Sequence, residues 1–319
     1  MNLRLGTRGS RLALWQAHHV KDRLEAAHPG LRVEIVVLET IGDRIQDVPL
    51  ARIGDRGLFT KELDRAILDG RVDAAVHSLK DVPTRLPAGL GLAAVLERED
   101  PRDVVIPAPG RPATLDALPP DSRIGTSSLR RRAQVLHRRP DLQVLDLRGN
   151  LDTRLGRLAE RHYDAVILAA AGVRRLGREA LIGAFLEPPG WLPAAGQGAL
   201  GIAAREGDDD VASLLSALDH PDARRETTAE RAFLRELEGG CQIPIGALAR
   251  TEGELLRLDG FVGSLDGRTL IRGSIEAPAG DPEEAGRRLA ADLLERGAKE
   301  VLEQVRAAAI ESLPRASAP

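Results

Sequence analysis

The chain has 319 residues, 43% hydrophobic but only 2% aromatic, so two or three cores can form, packed from Leu, Val, Ile and Ala. One cysteine excludes an internal disulfide framework, and no apolar run approaches the length that spans a bilayer. The start, MNLRLGTRGSRLALW, is broken by arginines and reads as a strand rather than a signal peptide, and a net charge of −3 argues against a nucleic-acid partner, so a soluble cytoplasmic protein is expected.

In chain order, residues 2–6 read as a strand, Ser10 to His28 as a helix with Ser10 as its N-cap, and 31–39 as a strand. A polar Gly/Asp-rich loop at 41–57 is long enough to be functional. A helix at 59–69 and strands at 72–77 and 90–96 follow. Strands alternating with helices predict a parallel sheet covered on both faces. The Pro-rich stretch from Pro101 to Pro120 reads as a boundary. The pattern then restarts with strand 122–126, helix 128–138, strand 142–147, helix 151–161 and strand 164–170. Residues 186–198 read as a return linker, and strand 199–205 as a candidate to rejoin the first sheet. From 221 the order changes to a helix at 221–238, strands near 245–251, 254–263 and 268–276, and one long helix over 282–311, which suits a small α+β domain.

Lysine occurs only at Lys21, Lys61, Lys80 and Lys299, so nearly all cations are arginines, and several follow predicted strands. Open α/β sheets bind ligands at the carboxyl ends of their strands. Asp81, in Val76-His77-Ser78-Leu79-Lys80-Asp81-Val82-Pro83, reads alone as a turn residue before Pro83. Lys80 beside it supplies a cation for an anionic ligand and helps keep the carboxylate ionised. His77 reads as a satisfied residue at the strand end. In Gly125-Thr126-Ser127-Ser128-Leu129-Arg130-Arg131-Arg132 a strand opens into a helix, where free N–H groups and hydroxyls can hold an anion. Arginines in a first helical turn oppose the helix dipole, which predicts a local reason such as a bound carboxylate. Arg138 and Arg139, near the other end of that helix, suit the dipole. Leu147-Arg148-Gly149-Asn150-Leu151-Asp152-Thr153-Arg154 repeats the layout, and Arg8 with Ser10 occupies the matching place after the first strand. The guanidinium fork suits carboxylates. Neither a Walker A pattern nor G-x-G-x-x-G is present, so no nucleotide site is expected.

Cys241 stands in Glu-Gly-Gly-Cys-Gln-Ile-Pro-Ile-Gly, where two glycines permit a sharp turn after a helix. A lone cysteine is usually a small buried hydrophobe, and without a Cys-x-x-Cys partner neither a metal nor a redox pair is expected. Two other classes fit the residue types. A two-domain anion-binding receptor leaves GGCQIPIG unexplained. An unrelated cysteine enzyme needs a base near Cys241.

Together with Gly57-Leu58-Phe59 and Pro193-Ala194-Ala195-Gly196-Gln197-Gly198-Ala199, these motifs resemble the hydroxymethylbilane synthase (porphobilinogen deaminase) family from near the N-terminus to about residue 275. The resemblance implies an α/β fold of two periplasmic-binding-protein-like domains plus a smaller C-terminal α+β domain: 1–98 with 199–217, 103–193 and 221–319. It implies stepwise head-to-tail condensation of four porphobilinogen molecules with loss of ammonia, then hydrolytic release of hydroxymethylbilane, by a monomer without metal. The chain would grow on a dipyrromethane cofactor joined by a thioether to Cys241. Asp81 would be catalytic, and Lys80, Ser128, Arg130, Arg131, Arg148 and Arg154 would bind the cofactor. Arg8, Ser10, Ser78, Thr126, Arg175 and Gln197 would bind substrate. Arg56 stands where the family often has lysine and is carried over as a lid contact, with charge kept but geometry changed. Each pyrrole brings an acetate and a propionate. One charge pair at about 4 Å is worth roughly 4 kcal/mol at an effective dielectric near 20, less after desolvation, so a growing polyanion needs many cations. Loss of ammonia leaves an electron-poor azafulvene, whose positive charge a fixed carboxylate would stabilise.

Overall fold

The computed structural model describes residues 2–40, 60–237 and 243–311, with side chains to 308. The loop at 41–57 with Arg56, the Gly57-Leu58-Phe59 motif and Cys241 lie outside the described residues.

The first sheet is built from β1 (Asn2–Arg8), β2 (Arg32–Leu38), β3 (Ala74–Ser78) and β4 (Leu90–Val95), with helices α1 (Arg11–Ala27) and α2 (Lys61–Leu68). Ser10 caps α1 as read, its hydroxyl accepting from the Ala13 N–H at 3.3 Å. The second sheet follows: β5 (Asp103–Pro107), β6 (Arg123–Gly125), α3 (Leu129–Arg138), β7 (Gln143–Leu145), α4 (Leu151–Ala159), β8 (Ala165–Ala169), α5 (Ala170–Arg175) and β9 (Ala184–Leu186). The chain then returns through β10 (Leu200–Arg205) and α6 (Asp209–Ser216). A third group comprises α7 (Pro221–Glu236), β11 (Ile245–Glu252), β12 (Leu255–Gly263), β13 (Leu270–Pro278), α8 (Pro282–Leu293) and α9 (Lys299–Glu311).

Strand β10 does rejoin the first sheet, whose order is β2-β1-β3-β10-β4. The second sheet has order β7-β6-β8-β5-β9. Neither is purely parallel, which corrects the sequence expectation. In each, a parallel trio is followed by one antiparallel strand, β10 or β5, with which the last strand also pairs antiparallel. The reason is the route of the chain. It leaves the first sheet from β4 and enters the second through β5, then leaves from β9 and re-enters the first through β10. Strand β5 lies inside the stretch read as a boundary: Pro101 and Pro107 flank a run of Val and Ile that is fully buried.

Both faces of the first sheet are covered. Leu3, Leu5, Val76 and Ile202 meet Val20 and Leu24 of α1 and Leu215 of α6. Ala75 and Ala203 meet Leu63 and Ile67 of α2 on the other face. Two-sided burial explains why Ala74-Ala75-Val76 carries no polar alternation. In the third group α7 and α8 cover an antiparallel sheet of order β11-β12-β13, with Phe233, Leu258 and Leu289 in its core. The helix expected over 282–311 is instead two helices: the backbone passes through a π turn at Leu294–Ala298, and Gly297 at φ 99° breaks the helical path.

The crossing segments lie against each other. Glu99 N–H donates to the Gly198 carbonyl at 3.3 Å, and a Cβ on Gly198 (φ +91°) would sit 2.2 Å from the Glu99 carbonyl oxygen. Gly198→Ala is therefore strained in its backbone angle and in its contact with main chain that cannot rotate away. It should destabilise by more than about 1 kcal/mol, while Gly280→Ala, which meets nothing within 4 Å, should be near neutral. Thermal melting of the two variants side by side checks this; equal melting temperatures would refute it.

Candidate functional site

The site begins where β3 ends. A single 3₁₀ turn, Leu79–Asp81, follows Ser78. Its entry is fixed by the Leu79 N–H donating to the Ala199 carbonyl at 3.0 Å, and it closes with the Val82 N–H donating to the Leu79 carbonyl at 3.1 Å. The Asp81 carboxylate is partly exposed and makes neither hydrogen bond nor ion pair with the described residues. Ser78 Oγ accepts from Gln16 Nε2 at 2.8 Å. His77 is not the satisfied residue expected: its Nε2 is buried without a partner. Burial, with Arg8 adding to it, pushes the His77 pKa down to about 4, so the ring is neutral at physiological pH.

The second sheet faces this turn with hydroxyls and arginines. The hydroxyls are largely committed to the protein. Thr126 Oγ1 accepts from the Ser128 N–H at 3.2 Å, Ser128 caps α3 by accepting from the Arg131 N–H at 3.4 Å, and Ser127 bridges to both the N–H and the carbonyl of Leu147. The reason for arginines in the first turn of α3 also lies within the protein. Asp103, the first residue of β5 and wholly buried, accepts from Arg130 Nη1 at 2.7 Å and from Arg131 Nε and Nη2 at 3.1 and 2.7 Å. Trp191 Nε1 and Gln197 Nε2 complete its shell at 2.8 and 2.9 Å. Burial alone would raise the Asp103 pKa, but Arg130 and Arg131 hold it well below the usual carboxylate range. The bound carboxylate inferred from the dipole conflict is thus the protein's own.

Gln197 joins the two sides. Its Nε2 donates to Asp103 and to the Pro101 carbonyl, and its Oε1 accepts from Lys80 Nζ at 3.4 Å. Burial pushes the Lys80 pKa down to about 8; Asp81 opposes the shift and Arg131 adds to it. Arg154, whose Nε donates to the Gly149 carbonyl at 2.9 Å, is lowered to about 10, by burial first and then by Arg131 and Arg148, against Asp81. Nη1 of Arg148 is buried with no partner. Lys80, Asp81, Arg131, Arg148 and Arg154 therefore share one electrostatic site drawn from both sheets.

The remaining residues lie around it. Arg8 ends β1 near His77, and Ser10 caps the next helix. Arg175 reaches the crossing segment, donating to the Gly198 carbonyl at 2.6 Å, and stands 5.8 Å over the Trp15 ring. Arg138 and Arg139 are apart from the cluster, paired with Asp116 and Asp141. Asp103 escaped the sequence reading, although a charged residue opening the buried run Val104-Val105-Ile106 was a usable signal. A second buried pair also escaped it. Arg98 binds both oxygens of Glu230 at 2.6 and 3.0 Å, and Glu230 in turn accepts from the N–H groups of Gly196 and Ala249.

The cluster sets several cations around one open carboxylate, an arrangement with the chemistry to take a polyanion that carries hydrogen-bond donors.

Two measurements test this geometry. Asp103→Asn leaves two buried guanidinium groups without their counter-ion and should cost about 3–5 kcal/mol, read as a lower melting temperature; a loss under about 1 kcal/mol would contradict the hub. The Lys80 amine is half deprotonated near pH 8, while a bound carboxylate favours the protonated form. Succinate affinity, measured by calorimetry, should be flat below about pH 7 and fall as the pH rises through 8, and Lys80→Arg should flatten the profile. A wild-type profile that is flat to pH 9.5 would refute the assignment.

The model for "porphobilinogen deaminase, dipyromethane cofactor binding domain" matches residues 3–213, and that for "porphobilinogen deaminase, C-terminal domain" matches 225–295. Porphobilinogen deaminase of Syntrophomonas wolfei is 51% identical over 305 residues, covering 96% of this chain and 99% of that protein. The Moorella thermoacetica protein of the same name is 52% identical over 307 residues, with 96% and 97% covered. Among solved structures, the methionine-binding protein MetQ aligns with a TM-score of 0.44 at 13% identity, covering 68% of this chain and 89% of that one.

Proposed function

Because this chain belongs to the porphobilinogen deaminase family, we propose that Asp81 is its catalytic carboxylate and Cys241 the attachment point of its dipyrromethane cofactor. The enzyme is a hydroxymethylbilane synthase, a transferase of tetrapyrrole and haem biosynthesis that condenses porphobilinogen stepwise with release of ammonia.

The observation that carries the Asp81 assignment is its open carboxylate beside Lys80 and Arg154. Nothing in the described protein occupies its oxygens. As ammonia leaves a porphobilinogen, positive charge develops on the pyrrole nitrogen. Asp81 accepts the hydrogen bond from that N–H and stabilises the charge, at a place the 3₁₀ turn already fixes. Arg131, Arg148 and Arg154 hold acetate and propionate groups, and Lys80 adds a fourth cation. The dipyrromethane, when bound, supplies the pyrrole carbon from which the chain extends. The residues fit such a group: Arg148 carries a buried, unpartnered Nη1, which a pyrrole carboxylate would satisfy.

In this reading Thr126 and Ser128 bind mainly by holding the backbone of the α3 start, since their oxygens already accept N–H groups. Ser78, Ser10 and Arg8 line the first-sheet side and Arg175 and Gln197 the crossing segment; Arg56, outside the described residues, is carried over as a lid contact on the family resemblance alone. The three sheets support domains at 1–98 with 199–217, 103–193 and 221–319. We also take the enzyme to be a cytoplasmic monomer needing neither metal nor nucleic acid, supported by a single cysteine and a net charge of −3. Among the described residues no helix is long and apolar enough to cross a membrane.

Intact mass should exceed the polypeptide mass by one dipyrromethane, and Cys241→Ser should lose the adduct; active enzyme with an unmodified Cys241 would falsify the attachment. Asp81→Asn should fold and load cofactor, yet consume porphobilinogen on the order of 100-fold more slowly. Wild-type rates in that variant would return Asp81 to the role of a turn residue.

A further inference from the structure

The open carboxylate of Asp81 raises the question of what holds it in place. The turn that carries it is fixed on its entry side by β3 and by the Leu79–Ala199 hydrogen bond. On its exit side the chain has no strand or helix until β4, and Pro83 has no N–H to offer. The Val82 N–H is already committed to the Leu79 carbonyl. That leaves the carbonyls of Val82 and Pro83, and one side chain takes both. Arg231 Nη1 donates to the Val82 carbonyl at 3.0 Å and Nη2 to the Pro83 carbonyl at 2.7 Å.

Arg231 is an expensive way to make two neutral hydrogen bonds. Among the described residues its guanidinium has no carboxylate partner, and burial, with Arg235 adding to it, pushes its pKa down to about 10. An ion pair is therefore not what it provides. A planar fork that grips two successive carbonyls is what it provides, and a lysine could hold only one of them well. The helix from which it reaches is itself fixed. Glu230, the preceding residue of α7, is wholly buried and binds Arg98, Gly196 and Ala249. Ala223, two turns earlier, packs in one apolar cluster with Leu79 and Val82. A rigid helix of the third group thus holds the exit of the turn.

We propose that Arg231 is a positioning residue for Asp81, acting through the main chain of Val82 and Pro83. The proposal rests on the catalytic reading of Asp81, and the test separates the two. Arg231→Met, Arg231→Lys, Asp81→Asn and the Arg231→Met/Asp81→Asn double variant are purified as holoenzyme, with cofactor loading confirmed by intact mass. Arg231→Met should lower kcat on the order of 10- to 100-fold with KM changed less than about threefold. Arg231→Lys should recover part of the loss. In the Asp81→Asn background Arg231→Met should cost less than about threefold more, because the group it positions is already gone. Independently of turnover, hydrogen exchange of the Val82 amide should quicken in Arg231→Met and stay at the wild-type rate in Asp81→Asn.

A kcat for Arg231→Met within about threefold of wild type, equal losses in both backgrounds, or unchanged Val82 exchange would each overturn the proposal. If Asp81→Asn slows turnover and Arg231→Met does not, positioning fails and the Asp81 reading stands. If Asp81→Asn turns over like wild type, the Asp81 reading fails and takes the positioning role with it. Should Arg231→Met not fold, Arg231→Lys in both backgrounds carries the same test, with a smaller expected loss.

Discussion

The arrangement of the site depends on one buried carboxylate. Asp103 sits at the start of β5 and draws in five N–H donors, three from Arg130 and Arg131, one from Trp191 and one from Gln197. A carboxylate taken wholly out of water is costly, and so are two guanidinium groups beside it; each offsets the other's desolvation. Removing any member leaves a charge or a strong donor without a partner. The cluster ties β5 and α3 to residues 191–197 of the crossing segment. Through Gln197 it reaches Lys80 and the turn that carries Asp81. Side chains more than one hundred residues apart in sequence are held in register by it.

This changes how the arginines divide their work. Three positive charges would meet at Arg130, Arg131 and Lys80 without Asp103, and Arg131 already lowers the proton affinity of both Lys80 and Arg154. Asp103 cancels part of that repulsion while keeping a net positive field above the turn. The orphaned nitrogen of Arg148 and the open oxygens of Asp81 stand within that field. A ligand with carboxylates along its edge and N–H groups at its centre meets both kinds of partner there.

Much of this was legible in the sequence. Ser10 was read as the cap of α1 and is one, and the turns after Gly125 and Gly149 were read as helix starts, where Ser128 and Asn150 cap the helices. Local chemistry decides those features, so local reading finds them. What could not be read is decided by partners distant in sequence. Asp103 looks like one more charged residue of the run 97–103 until Arg130 and Trp191 are brought to it. Strand β9, of three residues, carries too little pattern to be seen alone. The break at Gly297 inside the helix expected over 282–311 has no local mark, because the apolar spacing continues on both sides of it. The conflict between Arg130, Arg131 and the helix dipole was read as the sign of a bound carboxylate; the carboxylate the fold brings there is that of Asp103.

The place of β10 has a consequence for how the molecule is made. It lies between β3 and β4 in the first sheet, yet it is synthesised only after the whole second sheet. While the ribosome is still producing residues 103–186, β3 and β4 each expose an unpaired edge, and Ala75 and Val76 lack the neighbour that covers them. The second sheet has all its strands by Leu186 and can close first, whereas the first waits for Arg205. Such a long-range closure is slow, and the nascent chain spends that interval with an open, apolar sheet edge that only its own later residues fit.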